Sequence, residues 1–190
     1  MAKHSAGLLP YRLRGEASSP IVQVFLVHPG GPFWQGKDDG AWSIVKGEYD
    51  PGVERDPSAV ARREFREETG QEVPSGQWLS LGELTQPSGK TVAAWAVAGD
   101  VDAIAVASNT FELEWPPKSG RVQSFPEVDR GAWFEVGTAR VKILKGQAAF
   151  LDLLLKAVRG ANAPAPGSRA MGSRGSSSEA PPPAGGRGGD

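Results

Sequence analysis

The stretch RREFREETG, residues 62–70, places Glu64, Glu67 and Glu68 at i, i+3 and i+4. On a helix of 3.6 residues per turn these three carboxylates project from one side. Like charges at that spacing each cost about 0.2–0.5 kcal/mol on an exposed helix, a penalty that a solvated face tolerates. A divalent cation would reverse the same penalty, because hard cations take oxygen ligands from clustered carboxylates. The three residues by themselves leave both readings open. The chain contains no cysteine, which excludes disulfides, thiolate metal sites and cysteine nucleophiles together.

The remaining composition bounds the setting. With 190 residues, 39% hydrophobic and 23% charged, the chain has room for one ordinary domain with a sizeable core and something extra. A formal net charge of −1 gives no support for a DNA-binding or membrane surface held by bulk electrostatics. The opening MAKHSAGLLPYRLRG has a brief apolar patch interrupted by Pro10 and Arg12, so a signal peptide is not expected. No apolar run approaches the roughly 20 residues that span a bilayer. The expectation is a soluble cytoplasmic protein. The last thirty residues hold seven Gly, five Pro and five Ser with no aromatic or branched apolar side chain, and read as a disordered tail over 160–190. The folded domain is expected to occupy 1–159.

The acidic stretch needs a helix and a frame to hold it. Asp56 reads as an N-cap with Pro57 at the first helical position, and Gly70 as the stop; Ala61 and Phe65 supply a modest apolar side. Strand signals precede it at Ser5–Arg14 and Pro20–His28, joined by the turn-rich GEASSP, and a short apolar stretch, AWSIV, follows the loop GGPFWQGKDDG. The segment KGEYDPGVERDP reads as loop. Further strands are expected at Trp78–Thr85, Lys90–Ala98, Phe111–Trp115 and Ala132–Val136, with a closing helix over about Gln147–Val158. This order predicts an α/β fold with a mixed sheet packed between helices.

Read together, KGEYDPGVERDPSAVARREFREETG resembles the Nudix box, G-x5-E-x7-R-E-U-x-E-E-x-G-U with U apolar. Residues Arg63 to Gly70 match position by position, and Gly47 matches the leading glycine. Gly47 to Arg63 spans sixteen positions where the pattern has fourteen, so the box's first glutamate falls on Val53 or, with a local insertion, on Glu54. Gln71 stands where the pattern ends on an apolar residue. The resemblance extends through AGLLPYR, VFLVHPGGPFW, AWSIVKGE and FPEVDRGAWFEV, over nearly all of residues 4–155. It implies an α/β/α sandwich and hydrolysis of nucleoside diphosphates linked to another moiety, with a diadenosine polyphosphate as one such substrate. A non-catalytic Nudix-fold nucleotide-binding or regulatory module is the alternative, and the retention of Glu64, Glu67 and Glu68 speaks against it.

The resemblance also implies roles. Glu67 and Glu68 would hold Mg2+ or Mn2+ with the carbonyl of Gly47, while Glu64 is a further ligand or the general base. Arg63 would orient the glutamates. Glu127, six positions before Trp133, would complete the site, with a plain surface acid as the competing reading. For a nucleotide substrate the candidates are Trp34, or its neighbour Phe33, as a stacking surface, Lys46 as a phosphate contact, and His28. Each has a bland counterpart: a core cover for the aromatics, solvated charge for Lys46 and for the Lys118–Arg121 turn, and a packed, hydrogen-bonded ring for His28.

Overall fold

A strand that alternates in hydrophobicity hides one face; one that is apolar throughout must hide both. Strand β1 (His4–Arg14) is buried without a break from Ser5 to Tyr11, so two layers have to cover it. The computed structural model, which describes residues 3–161 apart from Ala17, shows both. Along one edge β1 pairs in parallel with β5 (Thr91–Ala98). Its other edge is shared: His4 to Leu8 pair with β3 (Val45–Tyr49), and Tyr11 to Arg14 pair with β2 (Ile21–Pro29). With β4 (Trp78–Thr85) outside β5 and β8 (Val128–Glu135) outside β2, the sheet has six strands. The mixed sheet lies between helices, as the sequence predicts.

On one face Ala6, Leu8, Phe25, Val27 and Val45 pack on Val60, Ala61 and Phe65 of helix α1 (Pro57–Thr69). On the other, Leu9, Val24, Leu26 and Ile44 meet Ala139 of α2 (Val136–Lys142) and Phe150, Leu151, Leu154 and Val158 of α3 (Ala149–Ala161). No helix among the described residues is long and apolar enough to cross a membrane.

Several elements depart from the sequence expectation. Lys46 to Tyr49, read as loop, form most of β3, because the free half-edge of β1 offers them partners. In AWSIV, which the sequence marks only as a short apolar stretch, Ser43 and Trp42 form isolated bridges with Val27 and Ile143, and Val45 begins β3. The expected strand at Phe111–Trp115 is β6 (Thr110–Glu114). It pairs with β7 (Val122–Pro126), which the sequence did not signal, in a hairpin outside the main sheet. Helix α2 was not expected either. Helix α3 runs to Ala161, two residues past the expected domain end, and the remainder of the expected tail, residues 162–190, lies outside the described residues.

Candidate active site

The acidic helix is fixed at both ends. Asp56 caps α1 by accepting from the backbone N–H of Ser58 at 2.9 Å, and Pro57 occupies the first turn. At the far end Gly70 takes φ 70°, a left-handed conformation that glycine adopts without strain, and its N–H donates to the carbonyl of Arg66. Val60, Ala61 and Phe65 seat the helix on the sheet, which turns Glu64 and Glu68 toward β3.

Glu64 is buried against Gly47. A side chain on residue 47 would put its first carbon 1.6 Å from Oε2 of Glu64, so the carboxylate occupies space that only glycine leaves open. One turn on, Oε2 of Glu68 accepts the backbone N–H of Lys46 at 3.0 Å. Glu67 differs: its side chain is 43% exposed and sits 3.8 Å from Nε of Arg63. The three glutamates therefore share one helix side but not one depth.

Arg63 ties the acids together. It donates through Nη1 to Glu54 and through Nη2 to Glu64, each at 2.6 Å. This gives Glu54, which the box spacing left between two alignments, a definite partner; one of the two extra residues then falls between Gly47 and Glu54 and the other between Glu54 and Arg63. The signal for Glu54 was a lone acid at the end of a Pro/Gly-rich loop, too weak to choose it over Val53 by spacing alone.

Burial dominates the electrostatics. It raises the Glu64 carboxyl above its ordinary range against the opposing pull of Arg63, and pushes Glu68 up to about 7 against Lys46. Glu127 adds to both shifts as a nearby like charge. The Lys46 ammonium is pulled down by the same burial, with Glu68 opposing. Lys46, Glu68 and Glu127 face a narrow cleft of about 70 Å³, floored by Val27 and walled by Pro29, Ser43 and Val128.

Two expected substrate contacts lie elsewhere. His28 is fully buried. Its Nε2 donates to the carbonyl of Lys37 at 2.9 Å and its Nδ1 lies 2.8 Å from Oδ1 of Asp129, so one nitrogen holds the loop after β2 and the other is engaged by β8. Trp34 packs into the core cluster of α2 and α3, on the face opposite α1, with Nζ of Lys37 5.0 Å from its ring centre. An indole in a Gly-rich loop finds its burial in the nearest apolar cluster, which here is not the acidic one.

Among the described residues no three acidic or imidazole groups already form a closed metal shell. The donors that are present nonetheless suit a hard divalent cation. Two desolvated carboxylates with a third nearby are an arrangement that added positive charge would relieve, and oxygen is the only donor type they offer.

The NUDIX domain model matches residues 5–154. A MutT/nudix family protein from Listeria innocua superposes with a TM-score of 0.55 at 13% identity, covering 84% of this chain and 95% of that one. The NUDIX domain of Shewanella oneidensis NrtR, complexed with ADP ribose, gives 0.55 at 12% identity, over 83% and 89%. A Caenorhabditis elegans Ap4A hydrolase in a binary complex gives 0.51 at 20% identity, over 82% and 98%. At such identities these structures establish a shared fold. Comparison with curated proteins gives no match. The family model spans the sheet, the acidic helix and the cleft alike, and the chain belongs to the Nudix family as a Nudix hydrolase.

Proposed function

We propose that the protein hydrolyses the pyrophosphate linkage of a nucleoside diphosphate joined to another moiety, with Mg2+ or Mn2+ as cofactor. The observation that carries this reading is the seating of Glu64 and Glu68 against Gly47 and Lys46, beside Glu127. Glu67, Glu68 and the Gly47 carbonyl would hold the cation, with Glu127 completing the site and Glu64 as a further ligand or the general base. When bound, such an ion neutralises pyrophosphate oxygens and lowers the pKa of a water.

The chain's own groups do the rest. Arg63 fixes the direction of Glu64 through a 2.6 Å hydrogen bond, and Glu64 is the group placed to take a proton from the attacking water if it is not itself a ligand. Lys46 brings a positive charge to the cleft where phosphate oxygens gather negative charge. The water oxygen bonds to phosphorus, the bridging P–O bond breaks, and the nucleotide departs as a phosphate. ADP ribose in the Shewanella complex and the Ap4A of the nematode hydrolase are both of this substrate class. A diadenosine polyphosphate is the finer form of the proposal. A cysteine-free chain acting on nucleotides fits the cytoplasm.

The test is a panel of dinucleoside polyphosphates, nucleotide sugars and nucleoside triphosphates, assayed with Mg2+ and with Mn2+ and with products resolved by mass. Turnover should vanish in chelator and return when the cation is restored. Undiminished hydrolysis by metal-stripped protein in chelator would overturn the proposal.

A further inference from the structure

We propose that Ser108 is a positioning residue of the site: its hydroxyl fixes the strand junction that carries Glu127, and so sets the span between Glu127 and the acids of α1. This rests on the hydrolase reading above. Glu127 stands between the end of β7 at Pro126 and the start of β8 at Val128, while Glu64, Glu67 and Glu68 stand on α1. Groups that share one ion must keep their separation to within about 0.5 Å. Helix and junction are distant in sequence, so something has to tie them.

One segment does. Residues 99–109, which link β5 to β6, meet the C-terminal end of α1, where the last carbonyls of a helix have no partner within it. The N–H of Ala107 donates to the carbonyl of Thr69 and that of Asn109 to the carbonyl of Glu67, each at 3.0 Å. A side chain on Gly70 would come within 2.8 Å of the Ala107 carbonyl oxygen, so the glycine that stops the helix also admits the segment. Gln71, polar where the box ends on an apolar residue, engages its amide here. Its Nε2 donates to the Asp102 carbonyl at 2.8 Å, and its Oε1 accepts the Asp102 N–H at 3.0 Å. From the other side, the N–H of Glu127 donates to the Asn109 carbonyl at 2.9 Å, and the N–H of Gly30 donates to the Glu127 carbonyl at 2.9 Å. The backbone of Asn109 thus bridges Glu67 to Glu127.

Ser108 locks that bridge with its side chain. β8 is the last strand of the sheet, and no strand lies on its outer edge. The N–H of Val128 donates to Oγ of Ser108 at 2.9 Å. The one hydroxyl proton is shared between the carbonyls of Val128 at 3.1 Å and Asn109 at 2.8 Å. Val128 is buried, and buried backbone groups need a partner. Without the hydroxyl, both groups of Val128 lose theirs at the residue next to Glu127. The junction then relaxes to recover them, and the Glu127 carboxylate moves with it.

The experiment measures binding of Mn2+ alone, by electron paramagnetic resonance of the free ion, to the full chain and to its Ser108→Ala, Ser108→Thr and Glu127→Gln variants. Ser108→Ala is also combined with Glu127→Gln, and thermal melting verifies that each variant is folded. Loss of a group that orients a metal ligand predicts that Ser108→Ala weakens Mn2+ binding by about 10- to 100-fold. Ser108→Thr keeps the hydroxyl and should bind as the wild type does. In the Glu127→Gln background Ser108→Ala should add no further loss, because residues that act through one another are not additive. Gln71→Leu releases the other end of the segment, and carries the same comparison if Ser108→Ala does not fold. Unchanged Mn2+ affinity in the folded variant overturns the positioning role. So does an equal loss with and without the Glu127 carboxylate, since a merely structural effect would not depend on it. Turnover is read separately on the substrate panel. Hydrolysis by the wild type with unaltered Mn2+ affinity in the variant rejects the positioning role alone. A Glu127-dependent loss of affinity without hydrolysis by the wild type upholds it and rejects the hydrolase reading, and a wild type that takes up no Mn2+ overturns both.

Discussion

At position 47 the choice of residue is made by a neighbour far away in sequence. The Glu64 carboxylate fills the space a side chain would need, so Gly47→Ala must push it aside or shift β3. Overpacking of this kind costs about 1–3 kcal/mol, and displacing a positioned carboxylate lowers turnover on the order of 10²-fold. Kinetics paired with thermal melting would check this; full activity would mean that Glu64 needs no fixed position. Glu68→Gln separates charge from shape. It should lose on the order of 10²-fold or more in turnover. Its metal-free form should melt no lower than the wild type, since burial already disfavours the charged carboxyl that the amide replaces. A joint fall in melting temperature and activity would assign Glu68 a structural role instead. The helical spacing of Glu64, Glu67 and Glu68 was legible in the sequence because i, i+3 and i+4 are local relations. Their different depths were not, since depth depends on where Phe65 and Ala61 meet the sheet. Nor could spacing place Trp34: in an irregular loop, adjacent side chains have no fixed period to sort them.

Helix α1 is the element on which the site depends, and its boundaries were readable because capping chemistry is local: Asp56, Pro57 and Gly70 take the positions expected of them. Asp56 offers a test with a pH signature. Two hydrogen bonds from Ser58, one from its hydroxyl and one from its backbone N–H, hold the Asp56 carboxyl below its ordinary 3.8. A depressed carboxyl contributes stability that is present above the unfolded value and is lost as pH falls through the folded one. Asp56→Ala should therefore melt about 2–4 °C below wild type at pH 7, and the gap should close as pH falls below 3.8. A gap that persists at low pH would show that the cap acts through packing rather than charge. The elements missed in the sequence share a cause. β3 carries Gly47 and runs into Asp50, Pro51 and Gly52, so its composition reads as turn, and only the open half-edge of β1 makes it a strand. α2, with Gly137, Thr138 and Val141 in seven residues, has little helical propensity of its own. It forms where the chain leaves β8 and must reach the Trp42–Ile143 bridge, and Lys142 anchors it to Asp38 and Asp39. Tertiary context of this kind leaves no trace in a local window.

For the whole molecule, the question is where the cooperative unit ends. The sheet is covered on one face by α1 and on the other by α2 and α3, and both apolar clusters draw their members from residues 6–158. The last side chain of α3 buried in the core is Val158, and the helix ends at Ala161. Beyond it, the sequence from Asn162 to Asp190 is rich in Gly, Pro and Ser and offers Met171 as its largest apolar side chain. Burial of apolar area is the main favourable term in folding, and a segment of that composition has little to add to it. A chain ending at Ala161 should therefore melt within about 1–2 °C of the full chain, where the loss of even 1 kcal/mol would move a domain of this size by roughly 2–4 °C. Its kcat and KM on a small nucleotide substrate should match as well, because the carboxylates and Lys46 all precede the cut. A truncated protein that melts several degrees lower would place part of the cooperative core beyond residue 161. One that melts normally but has a raised KM would instead place a substrate contact there, and the two measurements together decide which.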